Sequence, residues 1–248
     1  MRLSIEHNTL YRYQSAVQTA HHTAHLQPRD AACQRVLSFA LKVLPQPEHI
    51  REQRDAFGNL QAWWALTQPH EALHVMARSE VETSLPPELH SAKTWEDVRE
   101  HFRYRSGQQG DLQALFVFGS HHAPLHERFA AYARSCFTPG RSLQDAAVAL
   151  MRKIHRDFTY ASQSTDIHTP ALEALDKRRG VCQDFAHILI ACLRSLGLAS
   201  RYVSGYLLTQ PPPGKPRLIG ADASHAWASV YLPELADSAC GGWLALDP

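Results

Sequence analysis

The sequence lacks the features that commit a chain to a membrane, a nucleic acid or an oxidising compartment. No stretch approaches the ~18 uninterrupted apolar residues of a bilayer-spanning helix. The opening Met1-Arg2-Leu3-Ser4-Ile5-Glu6-His7-Asn8 has a basic residue but no apolar h-region, so no secretory signal is expected. Neither charge dominates: Lys+Arg is 25 against Asp+Glu 24, which argues against a broad nucleic-acid or polybasic membrane surface. The five cysteines are odd in number and have no tight spacing, so a disulfide framework is not expected. There is no internal repeat and no low-complexity tract. At 248 residues and 44% hydrophobic, one large or two modest domains can bury a core. The expectation is a globular, soluble, cytoplasmic protein.

Three stretches differ in hydrophobic period. The first, residues 1–86, reads as β. Leu37, Phe39, Leu41 and Val43 recur at every second position, as do Leu60, Ala62, Trp64 and Leu66. Leu73, Val75, Ala77, Val81 and Leu85 share one parity, and Asp55-Ala56-Phe57-Gly58-Asn59 supplies a turn. Short antiparallel strands with regular turns predict a β-sandwich. Trp63 and Trp64 are expected on opposite faces of one strand.

The second stretch, 87–140, reads as a helical connecting segment. Thr94 is a plausible N-cap before Trp95-Glu96-Asp97-Val98, and 124–137 reads as a helix with Leu125, Phe129, Tyr132, Ala133 and Cys136 on one face. The third, 141–248, alternates helix and strand. Ser142 with Asp145 resembles a capping box ahead of a helix through Ile154. A second helix runs from Cys182 to Leu196 with Gly197 behind it; its predicted buried stripe is Phe185, Ile188, Leu189, Cys192, Leu193 and Leu196. Three strand-like runs follow, at 201–208, 225–232 and 243–247, and the proline-rich 210–216 can only be a loop.

Cys182 opens an apolar helix. The first helical turn carries unpaired N–H groups and partial positive charge, which favour a thiolate, the nucleophilic form. Gly180 is expected to let the chain enter at an unusual angle and to leave room for a substrate. The competing reading is a small buried hydrophobe, which is assigned to Cys33, Cys136, Cys192 and Cys240. A thiolate enzyme needs a base and an orienting partner. His225 opens one strand and Asp247 ends the next, giving Cys182, His225 and Asp247 in triad logic if those strands are neighbours. Sixteen histidines supply rivals. His187 lies about 140° round the helix from Cys182 and is read as structural. Asp222 is a rival orienter, and Asp184 is read as complementing the helix dipole. His21-His22 with His25, and His121-His122 with His126, could bind metal, but no Cys or acidic partner completes either set, and surface clusters are the preferred reading. Lys177-Arg178-Arg179 is read as a solvated lead-in that could also lower the thiol pKa or greet an acidic substrate.

Four motifs in order, Gly180-Val181-Cys182-Gln183-Asp184-Phe185-Ala186-His187, Arg201-Tyr202-Val203-Ser204-Gly205-Tyr206, Ser224-His225-Ala226-Trp227 and Gly242-Trp243-Leu244-Ala245-Leu246-Asp247-Pro248, resemble the bacterial transglutaminase-like superfamily, whose members are often provisionally described as cysteine proteases. Residues 55–59 and 68–73 resemble the β-rich N-terminal region that often precedes that core. The resemblance implies an α+β, papain-like core in which a Cys on a central helix faces His and Asp on an antiparallel sheet. It implies acyl transfer through a thioester: Cys182 as nucleophile, His225 as proton carrier, Asp247 fixing its tautomer. The oxyanion would meet the Cys182 backbone N–H and one further donor, for which Tyr160 is the first candidate and Gln183 a weaker one; Trp227 is a candidate substrate contact. The resemblance further implies a peptide or protein substrate and an association with ATP-grasp-type ligases. Relatives commonly continue beyond the position of Pro248, so the core is expected to be cut short there. Calcium dependence, known for animal cross-linking members, is not expected, because no Asp-rich loop of oxygen-ligand spacing occurs; no cofactor is expected. The expected activity is peptide or isopeptide hydrolysis or deamidation. The alternatives are a cross-linking transglutaminase, a non-enzymatic binding or scaffold relative, and metal-dependent hydrolysis through the histidine clusters.

Overall fold

The computed structural model describes residues 1–86, 88–103, 111–161, 164–166, 169–208 and 224–248. The chain divides into two compact units, Met1–Pro87 and Glu88–Pro248. The first holds six strands: β1 (Arg2–Val17), β2 (Ala20–Ala24), β3 (Gln34–Leu44), β4 (Ile50–Arg54), β5 (Leu60–Leu66) and β6 (His70–Thr83). They form two antiparallel sheets, β1-β6-β3 and β2-β5-β4. One apolar cluster joins both sheets through Val43, Ala62, Trp64, Leu66, Leu73 and Val75, the packing of a sandwich.

Period two accounts for most of this unit. Trp64 is buried and Trp63 exposed, and β6 keeps Leu73, Val75, Ala77 and Val81 inside. Asp55 Oδ1 accepts from the N–H groups of Phe57 and Asn59 to shape the β4–β5 turn. Two expectations fail. Leu37 sits at a bulge between Val36 and Ser38, which flips the parity and leaves Leu37 38% exposed while Val36 takes the inner side. Leu85 lies beyond the end of β6 and is 93% exposed. Strand β1 carries no clean apolar alternation, because its inner positions include His7 and Thr9 beside Leu3 and Ile5.

The second unit contains α1 (Trp95–His101), α2 (Glu127–Arg134), α3 (Leu143–Asp157), β7 (Thr159–Tyr160), α4 (Ala171–Lys177), β8 (Arg179–Gly180), α5 (Cys182–Ser195), β9 (Ser200–Tyr206), β10 (Ser224–Tyr231) and β11 (Trp243–Leu246). Thr94 caps α1 through Asp97 N–H, and Ser142 caps α3 through Asp145 N–H, as their sequences predict. Helix α2 is shorter than 124–137: it begins after His126, whose Nδ1 accepts from Arg128 N–H, so Leu125 precedes the helix and is exposed. Stretch 87–140 shares one core with the remainder. Val98, Phe129, Ala133 and Phe137 pack in the same cluster as Leu150, Ile188, Leu189 and Val230.

Helix α5 is the centre of this unit. Helices α2, α3 and α4 and strands β9 and β10 all pack on it. It therefore buries more than the predicted stripe: Ala186, Ile190 and Ala191 join Phe185, Ile188, Leu189, Cys192 and Leu193, whereas Leu196 is only half-buried. The antiparallel sheet β11-β10-β9 lies against it. The proline-rich 210–216 and Asp222 fall outside the described residues. The Arg178 expectation is corrected. Its backbone is left-handed at φ 53°, and its guanidinium stacks on Tyr132 at 4.3 Å and on Phe158 at 4.9 Å instead of standing in solvent.

Candidate active site

Length matching brings distant residues to one end of the second unit. Helix α5 spans about 20 Å at 1.5 Å per residue. After the turn at Gly197 (φ 81°), β9 returns along it for about 20 Å at 3.3 Å per residue. Gly205, near the far end of β9, pairs with His225. His225 and Cys182 therefore stand at the same end of the helix–sheet pair.

Strand β10 is central, with β11 on its other side, so the neighbour relation needed by His225 and Asp247 holds. The imidazole Nε2 lies 2.8 Å from both Asp247 carboxylate oxygens. The carboxylate accepts the Nε2–H, which leaves Nδ1 as the ring nitrogen available for proton exchange. Alternation sorts the rest of β10. Ala226, Ala228 and Val230 are buried, while His225 shares the other parity with Trp227. The two rings stack at 6.1 Å and 27°. The Trp227 ring fills the place a Cβ at position 205 would take, 2.6 Å away, so Gly205 is needed for space.

Cys182 is half-buried and one of five free thiols; Cys136 and Cys192 are fully buried, and Cys33 and Cys240 partly so. Burial raises the Cys192 thiol far above the usual range, consistent with an inert core role. The entry to α5 is held by Asp184. Its Oδ2 accepts from Val181 N–H at 2.8 Å and from the Thr165 hydroxyl at 2.7 Å. Asp184 does more than complement the helix dipole: it is a buried cap. The expectation for Gly180 is corrected by the same contact. Its φ is not left-handed, and a Cβ there would meet Asp184 Oδ2 at 2.6 Å, so the carboxylate itself requires glycine.

Tyr160 pairs in parallel with Gly180, two residues before Cys182, and its side chain is 64% exposed. Gln183 lines a cleft together with His122, His187, Arg194 and Tyr202. Tyr202 was not singled out from sequence. Burial, and then the charges of Cys182 and Asp184, push its phenol up to about 12, which makes it a neighbour of the thiol. Its sequence signal is its place in the Arg201–Tyr206 run, where it pairs with the buried Ala228.

His187 stacks on His122 (5.1 Å, 7°) and meets the Tyr202 ring at a tilt (5.0 Å, 34°). Burial first, then the charges of His122 and Arg194, lower its pKa from 6.5 to about 4. Between those values the unfolded chain binds a proton that the folded chain refuses, so stability falls as pH drops from about 6.5 to 4. Urea unfolding across that window should show this loss, with a shallower slope for His187→Phe; equal slopes would remove His187 as its source. His121 meets the His122 ring edge-on at 4.8 Å, and the other clustered histidines take separate partners. His22 stacks on Trp64, His25 lies 3.7 Å from Asp55, and His126 caps α2. Among the described residues, no group of three or more His, Cys, Asp or Glu is placed to hold a metal ion. Nor does any helix among them have the length and apolarity to cross a membrane.

A thiol-headed central helix packed on an antiparallel sheet that carries a His–Asp pair defines a papain-like, transglutaminase-like fold. The comparisons agree. Residues 3–82 match the bacterial transglutaminase-like N-terminal region, and residues 130–248 match the transglutaminase-like superfamily. A Mycobacterium tuberculosis protein is 40% identical over 252 residues, covering 100% of this chain and 78% of its own. The Protein-glutamine gamma-glutamyltransferase of Pseudomonas aeruginosa is 30% identical over 105 residues, 41% of this chain and 15% of its own. Among solved structures, a protein of Cytophaga hutchinsonii, provisionally described as a cysteine protease, superposes with a TM-score of 0.70 at 22% identity, covering 100% of this chain and 76% of that one. The chain belongs to the transglutaminase-like superfamily, whose members are typically cysteine-dependent enzymes.

Proposed function

We propose that this protein is a cysteine-dependent amide acyltransferase whose ordinary acceptor is water, acting on a peptide or protein as a hydrolase or deamidase. The observation that carries the reading is the His225–Asp247 pair at the end of the sheet where Cys182 opens α5. In the proposed reaction the Cys182 proton passes to His225 Nδ1, and the thiolate attacks the amide carbon. The resulting oxyanion meets the Cys182 backbone N–H, unpaired in the first helical turn, with Tyr160 or Gln183 as second donor. The C–N bond breaks, and the amine leaves with the imidazolium proton. Water, deprotonated by the same imidazole, then opens the thioester to an acid and the thiol. Trp227 supports the ring of His225 and borders the substrate path.

The name of the Pseudomonas aeruginosa relative supports a second reading, in which a substrate amine replaces water at the thioester. Hydrolysis is preferred because it needs no amine subsite. The free cysteines suit a reducing compartment, and the cytoplasm is our reading of its location.

Iodoacetamide labelling of Cys182 against pH, read by peptide mass spectrometry, tests the reading. Labelling should be faster at Cys182 than at the partly buried Cys33 and Cys240 throughout, and His225→Ala should slow it roughly tenfold. A Cys182 rate like theirs and unmoved by His225→Ala would favour a binding or scaffold relative.

A further inference from the structure

The cleft beside the thiol is a groove laid along α5. Gln183, His187, Ile190 and Arg194 are spaced i, i+4, i+7 and i+11, a single stripe of the helix. Tyr202 of β9 walls one side, and Ser120, His122 and Ala123 wall the other, around a volume of about 360 Å³. The groove starts at Gln183, one residue past Cys182, and ends at Arg194, about 16 Å further along the helix axis.

The charge of this lining is one-sided. It contains a guanidinium and no carboxylate. Arg194 Nε and Nη2 donate to Ser200 O at 3.0 and 2.8 Å, and Nη1 donates to Phe118 O at 2.9 Å and to the Ser120 hydroxyl at 3.3 Å. These acceptors fix the guanidinium without neutralising it, and it forms no ion pair among the described residues. A partly buried cation held rigid by neutral acceptors is a preorganised partner for an anion. His187 and Tyr202 offer ring faces for the intervening chain.

Given the nucleophile proposed above, we infer that this groove is the acyl-donor subsite and that Arg194 selects donors bearing a carboxylate several residues from the reacting carbonyl. Binding in the groove makes no covalent bond. It holds the acyl chain while Cys182 exchanges with the leaving amine.

The test uses matched chloromethyl ketones, succinyl-(Ala)n against acetyl-(Ala)n with about two to four alanines, lengths that reach about 16 Å at 3.3 Å per residue plus the cap. The second-order rate of Cys182 alkylation is read by intact mass. One succinyl probe should react roughly five- to tenfold faster than its acetyl partner at low ionic strength, with the ratio falling toward one at ~1 M salt. Arg194→Gln should bring the ratio to about one, and Arg194→Lys should keep most of it. Because the readout is a ratio within each variant, a loss of stability from the missing Arg194 bonds does not mimic the effect, and the salt series on the unaltered protein stands without any variant. Equal rates for both probes at every length, with Cys182 still the residue modified, would overturn the subsite and leave the nucleophile standing. Alkylation elsewhere with Cys182 untouched would overturn the nucleophile and the subsite with it.

Discussion

Replacing Cys182 with Ala should abolish acylation by p-nitrophenyl acetate, followed as a Cys182 adduct by mass spectrometry, and lower any amide turnover by roughly four orders of magnitude or more. The melting temperature should change little, because Cys182 is half-buried at the head of α5 and does not belong to the packed core cluster. His225→Ala should cost turnover on the same scale. Asp247→Asn should be milder than either. An Asn carbonyl can still accept the Nε2–H, so the tautomer with Nδ1 available survives, whereas the charge that stabilises the imidazolium is lost. Asp247→Ala, which removes both, should be worse than Asp247→Asn. If Cys182→Ala unfolds the second unit instead, the thiol is a packing residue and the catalytic reading falls.

Gly180→Ala should destabilise the second unit by about 2–4 kcal/mol in urea unfolding. The new methyl group would press on Asp184 Oδ2, Cβ and Cγ at 2.6, 2.8 and 3.0 Å. That carboxylate is buried and held by Val181 N–H and the Thr165 hydroxyl, so it cannot swing into solvent without leaving the head of α5 uncapped. Asp184→Ala alone should cost about 1–3 kcal/mol through the orphaned donors. The double variant Gly180→Ala/Asp184→Ala should cost less than the sum, because removing the carboxylate also removes the clash. A Gly180→Ala protein within about 0.5 kcal/mol of the parent would show that the carboxylate has room to move.

How much could be read in advance differs from element to element. Strands β9, β10 and β11 begin and end within about two residues of their predicted runs, because each pairs an alternating pattern with a break at its end. The caps Thr94 and Ser142 were legible because N-capping depends on neighbours three residues away. Helix α4 had no such mark: its N-cap is Pro170, with no side-chain cap bond, and its seven residues are too few to set a clear period. Leu37 was misplaced because one bulged residue reverses every parity before it, and nothing in the local sequence announces the bulge.

In the candidate site, the motifs named Cys182, His225 and Asp247, and the sheet order then made the latter two neighbours. Gly180 makes room for the Asp184 carboxylate four residues along the same motif, whereas Gly205 makes room for the Trp227 ring across a strand pair. Tyr202 and the His122–His187 stack were invisible as a unit, because their rings meet from a strand, a loop and a helix.

The sequence alone determined the class of the protein, a β-rich unit followed by a helix-and-strand core, and the residue types at the head of α5 and on the last two strands. These follow from local period, capping and motif. Tertiary structure alone decided which histidine nitrogen faces a carboxylate, why position 205 is glycine, and that the Arg194 guanidinium ends a groove walled by a loop, a helix and a strand. Those facts depend on atoms brought together from distant segments, where packing distance rather than sequence spacing sets the chemistry.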